Sequence, residues 1–380
     1  MAERALLVLA DGTWFEGQAL GAVGHTVGEL VFTTAMVGYQ ETLTDPSYQG
    51  LIVMMTAPHI GNTGLNDQDN ESSQIWAAGC VVRSPARRWS NWQGQRSLDS
   101  GLVDHGVVGI AEVDTRAVTL HLRENGAMRA GIFSGPALAD QRGRPRTVDE
   151  LVEVVEAAAP LVAGAAPAAV TVEAPALVRA VGQPVATVVA VDLGMPAATP
   201  SLLAERGLTV QLMPRSVTFE QIMAVKPDGV FFGGGPGDPA AAEAEVALLR
   251  ALLDAGLPFF GVGLGHQVLG RALGFETYKL PYGHHGLSQP VLDRATGRVL
   301  TTTHSHGFAV RVDSLDEVAT PFDQGRYGRV RVSHLSIGDN SVEGLECLDL
   351  VASAVQFQPE SPAGPREGAY LYDRFVECLS

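Results

Sequence analysis

Residues 257–270 read LPFFGVGLGHQVLG. The apolar run 257–262 predicts a buried strand, a glycine-rich corner follows, and from Leu264 the pattern is helical. A sharp strand-to-helix turn is the shape of a nucleophile elbow. It lifts one side chain above the sheet edge and points N–H groups of the helix N-terminus at whatever lies there. In an elbow of the form G-x-C-x-G-x-Q the lifted residue is cysteine. Here it is Gly263, which has no side chain. The sequence offers the frame for covalent chemistry without the nucleophile.

Outward from the elbow, residues 185–191, 208–213 and 228–232 read as strands and 200–206, 218–225 and 240–255 as helices. Continuous apolar strands alternating with amphipathic helices predict a mostly parallel sheet covered on both faces. Ligands in such sheets sit beyond the carboxyl ends of the strands. The loops 192–199, 233–239 and 261–267 fall there. The segment GGGPGDP (233–239) reads either as a flexible turn or as a backbone N–H cradle for an oxyanion. It lacks the G-K-[ST] of a phosphate loop and the G-x-G-x-x-G spacing of a dinucleotide site.

Residues 1–134 are β-rich, with strands expected at 5–10, 29–34, 50–56 and 131–134. Loops are expected at 38–48 and 57–62, and a helix at 114–123 begun by Asp114. A helix at 147–157 precedes an Ala/Pro/Val-rich linker at 159–182. The expected division is therefore 1–134, a helix and linker at 135–184, and 185–380.

A chain of 380 residues, 46% hydrophobic and 18% charged, can bury more than one core. A net charge of −16 excludes a nucleic-acid partner and an anionic membrane surface. No apolar run is long enough to span a bilayer, and the opening MAERALLVLADG reads as a first strand and not a signal peptide. Cys80, Cys347 and Cys378 are far apart and suit a reducing cytoplasm as small buried hydrophobes. They are expected in a strand, a turn and the last helix. THSHGFA (303–309) and YGHHG (282–286) hold four of ten histidines. Close histidines can bind metal, but no carboxylate or cysteine lies beside them at ligand spacing, and no metal is expected.

The elbow, GPGDP (235–239), His306-Gly-Phe308 and Gln358-Pro-Glu360 occur in the order and spacing of a class I glutamine amidotransferase domain. Together with GYQETLTDPSY (38–48), PHIGN (58–62), DTR (114–116) and GHH (283–285), they make the chain resemble the small, glutamine-hydrolysing subunit of carbamoyl phosphate synthetase. The resemblance covers nearly all of residues 3–378. It implies an α/β protein with an N-terminal β-rich α/β domain and a C-terminal class I glutamine amidotransferase-like domain.

In that family a cysteine attacks glutamine, a histidine is the base and a glutamate orients the histidine. These positions fall on Gly263, Gln358 and Glu360, and only the last matches. Glycine cannot attack a carboxamide, and a neutral amide cannot take up a proton near pH 7. Triad members act as a unit, so either change alone is severe. The family's glutamine contacts fall on Ser47, Gly235, Gly237, Leu264, Gln267, Gly307 and Phe308. Ser305 stands for an asparagine, and so does Gly234 at a position where the family often has one. The family's D-[FY]-G-x-K-x-N reads DLGMPAA (192–198), with Pro196 and Ala198 replacing lysine and asparagine.

The resemblance also implies a synthetase large subunit as partner, L-glutamine as ligand, and ATP and magnesium on the partner, with no cofactor in this chain. Two readings follow. One is a supporting, ammonia-dependent subunit of a carbamoyl phosphate synthetase serving pyrimidine, arginine or specialised synthesis. The other is a free-standing glutamine-binding or regulatory protein. A third, an active glutaminase using Ser305, requires a base that the sequence does not supply.

Overall fold

The computed structural model describes residues 3–158, 170–360 and 363–379. The chain divides into two compact units, Met1–Leu161 with Pro281–Gly286, and Val162–Leu280 with Leu287–Ser380.

Among the described residues of the first unit, seven strands close a barrel in the order β1-β2-β6-β5-β4-β3-β7. They are β1 (Arg4–Leu9), β2 (Trp14–Gly21), β3 (His25–Thr33), β4 (Leu51–Ile60), β5 (Gly79–Pro85), β6 (Val108–Ala111) and β7 (Met128–Ser134). Alternation of side chains along each strand sends successive residues into different cores. Leu7 and Leu9 join Ile52, Met54, Ile110 and Ile132 in one core. Leu6 and Val8 instead meet Phe133, Leu151 and Val155. The last two belong to α4 (Val148–Ala157) of the helices α1 (Tyr39–Thr44), α2 (Leu98–Asp104), α3 (Thr115–Asn125) and α4. Asp114 caps α3 as expected, and Thr147 and Glu150 form a reciprocal capping box on α4.

Two local expectations are corrected here, and a third falls partly outside the described residues. Residues 38–48 are not simply a loop, since they hold α1 and a short 3-10 turn at Pro46–Tyr48. Gly38 enters α1 at φ 76°, which its lack of a Cβ permits. Residues 57–60 continue β4 through Pro58, which forms part of no ladder register between Met55 and His59. Much of the expected linker, 159–169, lies outside the described residues, while β8 (Ala176–Val178) in its later part pairs as an edge strand.

The second unit holds the alternating pattern. Five strands run parallel in the order β18-β12-β11-β9-β10, being β9 (Ala186–Asp192), β10 (Leu208–Pro214), β11 (Gly229–Phe232), β12 (Phe259–Val262) and β18 (Ala352–Val355). Beyond β18 the sheet continues through β17 (Val342–Cys347), β14 (Arg298–Arg311), β13 (Glu276–Asp293), β16 (Arg329–Ser336) and β15 (Val318–Ala319). Both faces are covered. Val189 and Val191 pack with α6 (Phe219–Val225), α7 (Glu243–Asp254) and α8 (Leu264–Ala272). Val188 and Ala190 pack with α5 (Ala198–Glu205) and α9 (Tyr370–Glu377). Such two-sided burial is why these strands lack polar alternation. No described helix is long and apolar enough to cross a membrane.

Candidate functional site

β12 ends at Val262 and α8 starts at Leu264, so Gly263 alone makes the corner. Its backbone lies at φ 57°, ψ −111°, a conformation costly for any residue with a side chain. Gly263 N–H donates to Val355 C=O at 2.9 Å, which ties the corner to the end of β18. A Cβ placed on Gly263 would lie 3.2 Å from Gly234 Cα and 3.9 Å from Gln356 O. The elbow geometry is thus present, and a side chain there would enter the space between the 233–239 loop and the segment after β18.

The 233–239 loop is held against the elbow by Gly265 N–H, which donates to Gly233 C=O at 3.1 Å. Gly235 approaches Leu193 so closely that a Cβ would fall 1.9 Å from the Leu193 carbonyl oxygen. Only glycine fits that contact. Gly237 has φ 112°. The neighbouring 192–199 loop is organised by Asp192, whose carboxylate accepts from the N–H groups of Gly194, Met195 and Val172. Burial nevertheless raises the Asp192 pKa.

The segment after β18 carries Gln358 and Glu360, the other two positions that the resemblance singles out. Gln358 N–H donates to Thr303 C=O at 2.9 Å, and its side-chain amide donates to Ser305 Oγ at 3.2 Å. Glu360 is buried, accepting from Thr199 Oγ1 at 3.0 Å and from the Tyr372 hydroxyl at 2.7 Å. Burial and the Glu360 carboxylate keep the Tyr372 phenol protonated. Thr199 and Tyr372 are not legible as site residues in the sequence, because one stands at a helix start and the other reads as an ordinary aromatic of the last helix.

Gln267 Nε2 donates to Phe308 C=O at 3.0 Å and to Gln356 Oε1 at 3.1 Å. This joins α8 to β14 and the segment after β18. Leu264 is buried. The second unit therefore brings together Gly263, Leu264, Gln267, Gly235, Ser305, Phe308 and Gln358 through direct contacts or adjacent backbone. Ser47 belongs to the first unit, where its N–H donates to the Asp45 carboxylate at 2.8 Å in the 3-10 turn.

None of the three cysteines stands at residue 263 or elsewhere on the elbow. Cys80 in β5 and Cys347 are both buried, and burial pushes each thiol up to about 12. Cys347 is the last residue of β17 and not part of a turn, since its register with Val330 extends the ladder. Cys378 caps α9. Ser305 faces a neutral amide, and in either orientation of that amide no group of basic pKa is supplied.

On β14, residues 304 and 306 share a face opposite to Ser305. There, His304 and His306 meet a carboxylate that the local sequence does not show, that of Glu343 from β17.

The comparisons with known proteins agree with this architecture. The family described as carbamoyl-phosphate synthase small chain, CPSase domain, matches residues 7–132. Glutamine amidotransferase class-I matches residues 189–378. A carbamoyl phosphate synthase small chain of Streptomyces avermitilis is 55% identical over 377 residues, 99% of this chain and 96% of that protein. That of Bifidobacterium longum is 50% identical over 381 residues, 99% and 94%. That of Mycobacterium tuberculosis is 46% identical over 382 residues, 99% and 98%. With both halves matched in order and relatives alike from end to end, the chain belongs to the carbamoyl phosphate synthase small chain family, its second unit a class I glutamine amidotransferase domain.

Proposed function

We propose that this chain acts as a small subunit that no longer hydrolyses glutamine and supports a large synthetase subunit fed by free ammonia. The observation that carries the reading is Gly263. It occupies the elbow tip in a backbone conformation suited to a lifted nucleophile and offers no atom to attack with. Gln358 adds to this, since its amide is engaged with Ser305 and has no basic nitrogen to take a proton. The surrounding frame is in keeping with descent from a working site. Gly235 packs on Leu193, Gly265 binds Gly233, and Glu360 keeps two hydroxyl donors in place of an imidazole.

In this reading, L-glutamine that enters finds a backbone cradle and Gln267 but is released unchanged. The chain's contribution is to complete the fold of a two-subunit enzyme whose ATP and magnesium sites lie on the partner. The test is glutamate release from glutamine by the purified chain, alone and mixed with a large subunit, alongside carbamoyl phosphate formation from ammonium. The expected result is no glutamate above background and synthesis with ammonium only. Glutamate release that disappears in Ser305→Ala would replace this reading with a serine glutaminase.

A further inference from the structure

We propose that His304, His306 and Glu343 form a structural site for a divalent transition-metal ion of the zinc class. Two imidazole nitrogens and both oxygens of one carboxylate converge within the second unit. His304 Nδ1 lies 2.9 Å from His306 Nε2, 3.6 Å from Glu343 Oε2, and His306 Nε2 lies 3.7 Å from Glu343 Oε1. Bond lengths of about 2.0–2.1 Å from zinc to nitrogen and oxygen require edges of about 3.3 Å in a coordination tetrahedron. The three separations bracket that value. His304 and Glu343 are fully buried and His306 is 7% exposed.

Hydrogen bonds on the far side of each ring fix which nitrogen carries the proton. His306 Nδ1 is 2.9 Å from the Phe308 carbonyl, which only accepts, so Nδ1 holds the hydrogen. The Thr302 hydroxyl donates to the Gln289 carbonyl at 2.9 Å. Its oxygen therefore accepts from His304 Nε2, 2.8 Å away. In the neutral rings, His304 Nδ1 and His306 Nε2 thus turn lone pairs toward each other and toward a carboxylate. Two lone pairs at 2.9 Å repel unless a cation lies between them. Imidazoles that donate their outer N–H to a carbonyl or hydroxyl and present the inner nitrogen are arranged as metal ligands are. Two imidazoles and one carboxylate favour zinc, copper or nickel over magnesium or calcium.

The ion's role is structural. β14 carries His304 and His306 on one face and Ser305 on the other, and Phe308 C=O receives both His306 Nδ1–H and Gln267 Nε2–H. A metal clamped behind β14 fixes the strand that presents the rim of the candidate site. This holds whether or not that site hydrolyses glutamine.

The test uses the full chain, stripped with chelator and dialysed against micromolar Zn²⁺. Metal content is then measured by mass spectrometry, and ligand identity by X-ray absorption at the zinc edge. The expected result is one zinc per chain, coordinated by two imidazoles and a carboxylate, with a raised thermal midpoint. His304→Gln and Glu343→Gln should abolish binding. Thr302→Val, close in shape and remote from the ion, should weaken it about 10–100-fold by freeing the His304 tautomer. A stripped wild type that takes up no zinc would overturn the proposal in favour of a shared proton between the rings. Zinc held equally by the wild type and all three variants would also overturn it, since the ion would then lie elsewhere.

Discussion

At Gly263 the residue's identity and its backbone agree. A side chain there must adopt φ 57° and push Gly234 Cα from 3.2 Å. Gly263→Ala is expected to lower stability by about 1–2 kcal/mol, read as a drop in urea midpoint at unchanged slope. The same site frames an attempt to restore chemistry. Gly263→Cys aims a thiol toward the loop 233–239 but gives it no base, so at most a slow acyl-enzyme should form. Gln358→His alone has nothing to activate. The double variant should release glutamate at least about 10²-fold faster than either single, with Glu360 turning from its hydroxyl partners to the new imidazole. A double no faster than the singles would show that Thr199 and Tyr372 hold Glu360 too firmly for the triad to reassemble.

Among the elements, α8 and β16 carry buried histidines that respond to acid. Burial pushes His266 down to about 3 and His334 to about 4, so both are neutral in the folded chain at pH 5. In the unfolded chain each titrates near 6.5. Between that value and the folded pKa the unfolded state binds a proton that the folded state refuses. Stability therefore falls on acidification from about pH 6.5 to 4, by up to about 1.4 kcal/mol per pH unit for each histidine. Urea melts at pH 7.5, 5.5 and 4.5 should show it, and an unchanged midpoint across that range would contradict it. α4 offers a separate check. Its capping box satisfies N–H groups at both ends of the reciprocal pair, and Thr147→Ala should cost about 1 kcal/mol.

For the whole molecule, membership of the small chain family and intact matches in both halves lead to an expected complex. The chain and a carbamoyl phosphate synthase large subunit should co-elute as a heterodimer at micromolar concentration. Carbamoyl phosphate should form with ammonium and not with glutamine. Two separate elution peaks would instead favour a free-standing glutamine-binding protein. Carrying Gly263→Cys and Gln358→His together into the complex should shift part of the synthesis to glutamine.

Periodicity alone determined the alternating strands and helices from β9 to α8, because strands buried on both faces leave continuous apolar runs that water-facing segments cannot imitate. The glycine corner at 263 was equally legible, since an apolar strand that runs through glycines into a helical pattern marks a sharp turn. Strand closure into a barrel and the ladder position of Cys347 were decided by pairing with distant strands. The partners of Glu360 were decided by where the helices α5 and α9 pack. Thr199 and Tyr372 reach it from 161 and 12 residues away. Glu343 meets His304 and His306 only because β17 pairs with β14. Local sequence records which groups a segment carries, and hydrogen bonding between remote strands decides which of them face one another.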